Sequence, residues 1–144
     1  MKQLIWKLAL PLTIIVFIVF SKWWHALLDG PDAILYGFPL PYTCKGFHTS
    51  MSLQFFFIEL LIDLLAYFLF FFMVIYLTNR FLFPIKIPKT VSIILYVMAC
   101  ILLCLPILIA VNPDNVFYMK RPFDIEVIDS GYDFIWQDQD WRRQ

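Results

Sequence analysis

Two acidic residues inside the longest apolar stretch are the side chains best suited to chemistry. Glu59 and Asp63 are four positions apart, so on a helix they share one face about one turn from each other. Counted from Leu53, Asp63 is expected about 15 Å into that stretch, near the middle of a bilayer. An aspartate at that depth costs roughly 2.5–3.5 kcal/mol. The sequence therefore predicts that both carboxyl groups face protein rather than lipid.

Three interpretations of this acidic pair stay open. The carboxyl groups bind a cation or polar group of another subunit, or they form part of a proton or ion path. In the third interpretation they are protonated, because burial and a neighbouring like charge both disfavour ionisation. They then hydrogen-bond to Thr13, Tyr96 or the backbone of the same chain.

A second group of reactive side chains lies between residues 25 and 48. His25, Asp29, Asp32, Cys44 and His48 are of the types that bind zinc, and a cysteine four residues from a histidine is a conceivable nucleophile and base. Neither HxxxH nor CxxC spacing occurs, and the sequence contains no nucleotide-binding loop or catalytic triad motif. We therefore expect no metal and no cofactor, and an enzyme with a site at the outer interface is an alternative only.

The composition indicates a membrane protein. Of 144 residues, 62% are hydrophobic and 15% are charged, whereas a soluble domain is about half apolar and about a quarter charged. Three stretches reach the length of about 20 apolar residues that a spanning helix needs, and they cover about 8–24, 53–77 and 91–111. The predicted fold is an all-α membrane protein with three transmembrane helices.

The same stretches define the predicted domains. Residues 1–111 form the transmembrane domain, including a structured outer loop at 21–52, and residues 112–144 form an extramembrane tail. Lys2 and Lys7 lie in a segment without acids, which by the positive-inside rule places the N-terminus in the cytoplasm and the C-terminus outside it. We expect a multi-pass protein of a bacterial inner membrane.

The connection between the second and third stretches carries three further basic residues and no acid. Arg80, Lys86 and Lys89 alternate with apolar side chains, a pattern typical of contact with anionic headgroups of the lipid bilayer.

The outer loop contains a proline-bearing aromatic segment at residues 36–42. Each proline restricts itself and its predecessor to extended geometry, so the segment should be stiff. Tyr36, Phe38, Pro39, Pro41 and Tyr42 either dock on a groove of another protein or form a lid over the ends of the helices.

The tail has the two-residue period of a half-buried strand. Phe123, Ile125 and Val127 alternate with acids, residues 129–131 resemble a turn, and a return strand would contain Trp136. Because an isolated β-hairpin is marginally stable, its apolar face needs a cover, either the outer loop or another protein.

These observations favour a non-enzymatic accessory subunit of a larger inner-membrane complex. It would bind other membrane protein subunits, in a hetero-complex rather than a homo-oligomer, through the Glu59 and Asp63 face, the outer loop and the tail. A small membrane enzyme and a proton-coupled transporter component are the alternatives. Eleven basic residues balance eleven acidic ones, which argues against nucleic-acid binding.

Overall fold

A mixed β-sheet at one end of the helices is the main departure from the predicted architecture. The computed structural model describes residues 4–27, 32–46, 52–85 and 87–134, and these contain one six-stranded sheet. Its strands are β1 (Phe20–Leu27), β2 (Asp32–Tyr36), β3 (Thr43–Lys45), β4 (Leu53–Phe56), β5 (Val116–Tyr118) and β6 (Glu126–Phe134). The all-α prediction is therefore wrong, and the chain has an α/β fold.

The described residues also form three helices. These are α1 (Ile5–Val19), α2 (Phe57–Leu82) and α3 (Lys89–Ala110). By length and composition alone, α2 and α3 are able to cross a membrane, whereas α1 is shorter. The predicted helix boundaries at 24 and 53 are wrong, because residues 20–27 and 53–56 are strands.

The shortest helix, α1, is the centre of the bundle. Both α2 and α3 pack mainly against α1 rather than against each other. Pro11 has no N–H to donate to the turn before it, and that turn, Ile5–Ala9, is π-helical. The buried Thr13 hydroxyl donates to the Ala9 carbonyl oxygen at 2.8 Å. The last carbonyl oxygen of the π-helical turn therefore accepts a side-chain hydrogen bond.

The strand order of the sheet is β5-β4-β3-β2-β1-β6. Strands β1 to β4 form an antiparallel meander, β6 pairs antiparallel with β1, and β5 pairs parallel with β4. Because α1 continues directly into β1 and β4 continues directly into α2, no loop separates the meander from either helix. One end of the bundle, the sheet end, is thereby covered.

The buried core of the sheet has one residue from each strand of the meander. Ala26, Leu35, Cys44 and Phe56 are fully buried, and side chains that include Phe123 and Ile125 from the β5–β6 connection pack against them. The tail thus completes the core of the sheet.

The predicted tail hairpin is wrong within the described residues. Residues 129–131, expected as a turn, lie in the middle of β6 and pair with β1. Gly131 lies under the Trp23 ring, where a Cβ atom would be 2.5 Å from the nearest ring carbon. Glycine is needed at position 131 because the Trp23 ring lies too close for a Cβ atom. In the sequence alone, the same glycine looks like a turn residue, which explains the wrong prediction.

Candidate functional site

The acidic pair lies at the sheet end of α2 and binds backbone amides of this chain. Asp63 is fully buried and Glu59 is 6% exposed. The Leu40 N–H donates to Asp63 Oδ1 at 2.9 Å, and the Arg121 N–H donates to Glu59 Oε1 at 3.2 Å. Each carboxyl group therefore holds one non-helical segment against α2, the proline-bearing segment in one case and the β5–β6 connection in the other.

The second oxygen of each acid is less well satisfied. Within the described residues, Glu59 Oε2 and Asp63 Oδ2 are buried without a well-formed hydrogen bond, and the Phe38 backbone adds only a weaker interaction with Asp63. An unpartnered polar atom in an apolar interior is costly. A proton on either carboxyl group would lower that cost.

The two side chains expected as partners of the acids bind elsewhere. Thr13 bonds within α1, and the Tyr96 hydroxyl donates to the carbonyl oxygen of Trp6. Of the three partners predicted within the chain, namely Thr13, Tyr96 and the backbone, it is the backbone that hydrogen-bonds to the two carboxyl groups.

The proline-bearing segment, residues 36–42, is folded over α1 and α2. The Tyr42 N–H donates to the Tyr36 carbonyl oxygen and closes the segment into a loop. The Tyr42 ring stacks on Phe17 at 5.3 Å, and Phe38 meets the edge of Tyr67 at 6.3 Å between ring centroids. These contacts give the segment the arrangement of a lid.

The remaining members of that segment differ in exposure. Pro41 is buried, Pro39 is partly buried, and the peptide bond between Phe38 and Pro39 is cis. Burial, followed by the charges of Asp63 and Tyr67, raises the pKa of Tyr42 to about 12. Its hydroxyl is therefore protonated at neutral pH.

Lys22 on β1 is a site residue that the sequence did not single out. Its Nζ lies 3.6 Å from the centroid of the Trp24 ring, 5.3 Å from that of Tyr132 and 5.8 Å from that of Phe38. The Trp24 Nε1–H donates to the Gly37 carbonyl oxygen at 2.8 Å and fixes one wall of this aromatic cage. The rings converge from β1, β6 and the proline-bearing segment, so no local pattern could reveal them.

Two apolar grooves run along the helices below the sheet. The front groove, about 480 Å³, is lined by Val16, Phe20, Phe38, Pro39, Ala66, Tyr67, Phe70 and Phe71. The rear groove, about 450 Å³, lies between the three helices and the sheet. At its upper end Thr43 Oγ1 is buried without a hydrogen-bond partner among the described residues. Because the side chains that line both grooves are mostly apolar, either groove could bind an apolar ligand such as an acyl chain.

Of the five residues of the predicted outer-interface site, the structure describes the side chains of two, His25 and Cys44, and these two do not lie together. Leu35 pairs with both Trp24 and Cys44, so Cys44 and the Trp24 neighbour His25 lie on opposite faces of the sheet. Asp29, His48 and the Asp32 side chain lie outside the described residues. Among the described residues, no group of three or more His, Cys, Asp or Glu side chains is arranged to hold a metal ion.

The Cys44 thiol is not activated. It is fully buried, and its Sγ–H donates to Gln54 Oε1 at 3.8 Å. Burial raises the pKa of Cys44 to about 12, whereas a cysteine nucleophile reacts as the thiolate.

The other predicted site residues fall into separate regions. Phe123 and Ile125 pack on the sheet core, and Val127 is 44% exposed. Arg80 and Lys89 are exposed at the far end, the end of the bundle opposite the sheet. Trp136 and Lys86 lie outside the described residues.

Comparison with protein-family models, with curated proteins and with solved structures finds no match for this chain.

Proposed function

We propose that this chain is a non-enzymatic accessory subunit, anchored in a membrane by its apolar helices, that binds another membrane protein through the free edge of β6. The observation that carries the proposal is the geometry of that strand. β6 has nine residues, and within the described residues it pairs with β1 alone. The opposite edge strand, β5, has three residues, so β6 is the larger docking edge.

A free strand edge presents a row of backbone donors and acceptors to a second chain, and an extended segment of a partner extends the sheet there. A bulge at Ile128 interrupts the pairing of β6 with β1, and the strand is regular from Asp129 onward. Val127, Ile128 and Tyr132 are 44%, 52% and 54% exposed, which adds apolar area to the edge. This edge replaces the acidic face as the proposed contact, because Glu59 and Asp63 hold segments of their own chain.

Membrane anchoring is part of the same proposal. The most apolar stretches of 18 residues in α2 and α3 have mean hydropathies of 2.5 and 3.0, and the side chains of both helices are largely exposed within the monomer. The exposed Arg80 and Lys89 at the far end support a cytoplasmic location of that end in a bacterial inner membrane, with lipid headgroups around them. The sheet then lies on the extracytoplasmic side.

One observation favours a second candidate, a proton-coupled transporter component. The buried oxygens Glu59 Oε2 and Asp63 Oδ2 have free acceptor capacity, as a proton-binding site requires. In that case Asp63→Asn stops proton-coupled flux while the helices and sheet still assemble. Unchanged flux would remove this candidate.

The experiment for the main proposal is purification from membranes in mild detergent, with mass spectrometry of the proteins that remain bound. We expect a stoichiometric partner, and Ile128→Lys should lower its recovery about tenfold, because a lysine at an exposed edge opposes strand addition. The matched control is Met119→Lys, at a 74% exposed position outside the strands, which should retain the partner. A monodisperse homo-oligomer with nothing else bound, or equal recovery by both variants, contradicts the proposal.

A further inference from the structure

The front groove is open along the side of the bundle and continues toward the sheet. Phe20 and Phe38 form its upper end, and Phe70 and Phe71 its lower end. Phe71 lies fourteen residues after the start of α2 at Phe57, about 21 Å at 1.5 Å per residue. With the start of α2 at the interface, the lower end of the groove lies about 6 Å past the middle of a bilayer whose hydrocarbon is about 30 Å thick. The groove therefore reaches through the whole depth of the sheet-side leaflet, which the acyl chains of that leaflet occupy.

A cation lies at the upper end of this groove. Phe38 both lines the groove and contacts the Lys22 ammonium, so the charge is next to the groove entrance. Lys22 forms no ion pair within the part of the chain whose side chains are described. The surrounding rings hold the ammonium in place, and no carboxylate among the described side chains neutralises its charge.

The buried carboxyl group of Asp63 does not compete for this cation. Asp63 is fully buried, binds the Leu40 N–H and is not part of the groove lining. The surface therefore combines an apolar groove of acyl-chain depth with one positive charge at its interfacial end.

We propose that the front groove binds an anionic glycerophospholipid of the sheet-side leaflet. One acyl chain lies between α1 and α2, and the phosphate pairs with Lys22. Ala66, at the base of the groove, leaves room for the chain, and Lys22 selects the headgroup by charge. The inference rests on the proposed membrane location of the helices but not on the β6 partner.

The test is native mass spectrometry of the purified full chain in detergent with phosphatidylglycerol or phosphatidylcholine carrying identical acyl chains. We expect phosphatidylglycerol to bind about fivefold more tightly, the effect of one basic residue near a headgroup. Lys22→Gln should remove this preference and Lys22→Arg should keep it. Lys45→Gln, at an exposed lysine of β3, is the matched control and should also keep it.

A second series tests the acyl-chain site. Ala66→Trp fills the groove and should abolish binding of both lipids, whereas Leu69→Trp, at a 53% exposed position outside the lining, should leave both unchanged. Circular dichroism checks that each variant folds, and if Ala66→Trp does not, the Lys22 series decides alone.

Equal affinity of the wild type for the two lipids, or an unchanged preference in Lys22→Gln, would overturn the proposal. So would lipid binding that survives in folded Ala66→Trp. Because the experiment uses the chain alone, its failure leaves the β6 proposal standing. A chain that stays in solution without detergent would instead refute the membrane location that both proposals share.

Discussion

At the sheet end of the molecule α1 continues into β1 and β4 continues into α2, whereas at the far end α2 terminates in the π-helical turn Thr78–Leu82. The sheet end contains the buried carboxyl groups and the backbone amides they bind. At the far end Arg80 and Phe81 are exposed, and the Ile85 N–H donates to Asn79 Oδ1 at 2.9 Å in a partly buried position. Polar interactions at the sheet end are therefore more costly to break, and substitutions at the two ends should differ in effect.

The largest expected effect is at Gly37, where the proline-bearing segment turns. Gly37 has a φ of +142°, and a Cβ there would lie 2.2 Å from the Leu40 carbonyl oxygen. Gly37→Ala combines backbone strain with a clash against backbone, so we expect a loss of about 3 kcal/mol in the free energy of unfolding. Thermal unfolding in detergent measures this loss.

The control for Gly37→Ala is Leu40→Ala, which shortens a 37% exposed side chain but keeps the N–H that binds Asp63. It should cost less than about 1 kcal/mol. Similar melting temperatures for the two variants would show that the segment is not held rigidly against α2.

The next largest effect compares a carboxyl group at the sheet end with an amide at the far end. Asp63→Ala leaves the Leu40 N–H without its acceptor, so it should cost about 2–3 kcal/mol, whereas Asp63→Asn keeps an acceptor oxygen and should cost less. Asn79→Ala removes the acceptor of the Ile85 N–H and should cost about 1 kcal/mol. Chemical unfolding of the three variants measures the differences, and an equal cost for Asp63→Ala and Asn79→Ala would contradict the asymmetry between the ends.

The far end and the sheet end also differ in how far the sequence predicts them. The long apolar runs predict α2 and α3 because a helix satisfies its own backbone hydrogen bonds within a contiguous segment. For the residues of β1 the sequence predicts the end of a helix, because the partner strands β2 and β6 come from residues 32–36 and 126–134 and a local pattern does not show pairing at such separations. The same applies to Gly131, which looks like a turn residue until the Trp23 ring is placed over it.

The candidate site follows the same division. The positions of Glu59 and Asp63 on one helix face follow from their spacing. The alternation of Phe123 and Ile125 predicts a strand, but both residues precede β6, which begins at Glu126, and they pack on the sheet core from a connection. The partners of the two carboxyl groups, the amides of Arg121 and Leu40, belong to segments distant in sequence. The sequence does not predict the Lys22 cage for the same reason, because its rings come from three elements.

The smallest expected effect is a pH dependence confined to the sheet end. The pKa of Cys44 is raised from 9.0 to about 12 by burial, so above pH 9 the folded state keeps a proton that the unfolded state loses. The free energy of unfolding is therefore highest below about pH 9 and falls as pH rises from 9 toward 12. Melting temperatures between pH 7 and pH 10.5 should show the decrease, and Cys44→Ala should flatten it relative to the wild type. The residual slope of that variant should come from Tyr42, whose pKa is also raised to about 12, and begin nearer pH 10. A slope that Cys44→Ala leaves unchanged would mean that this thiol is open to solvent and that the sheet core does not exclude water.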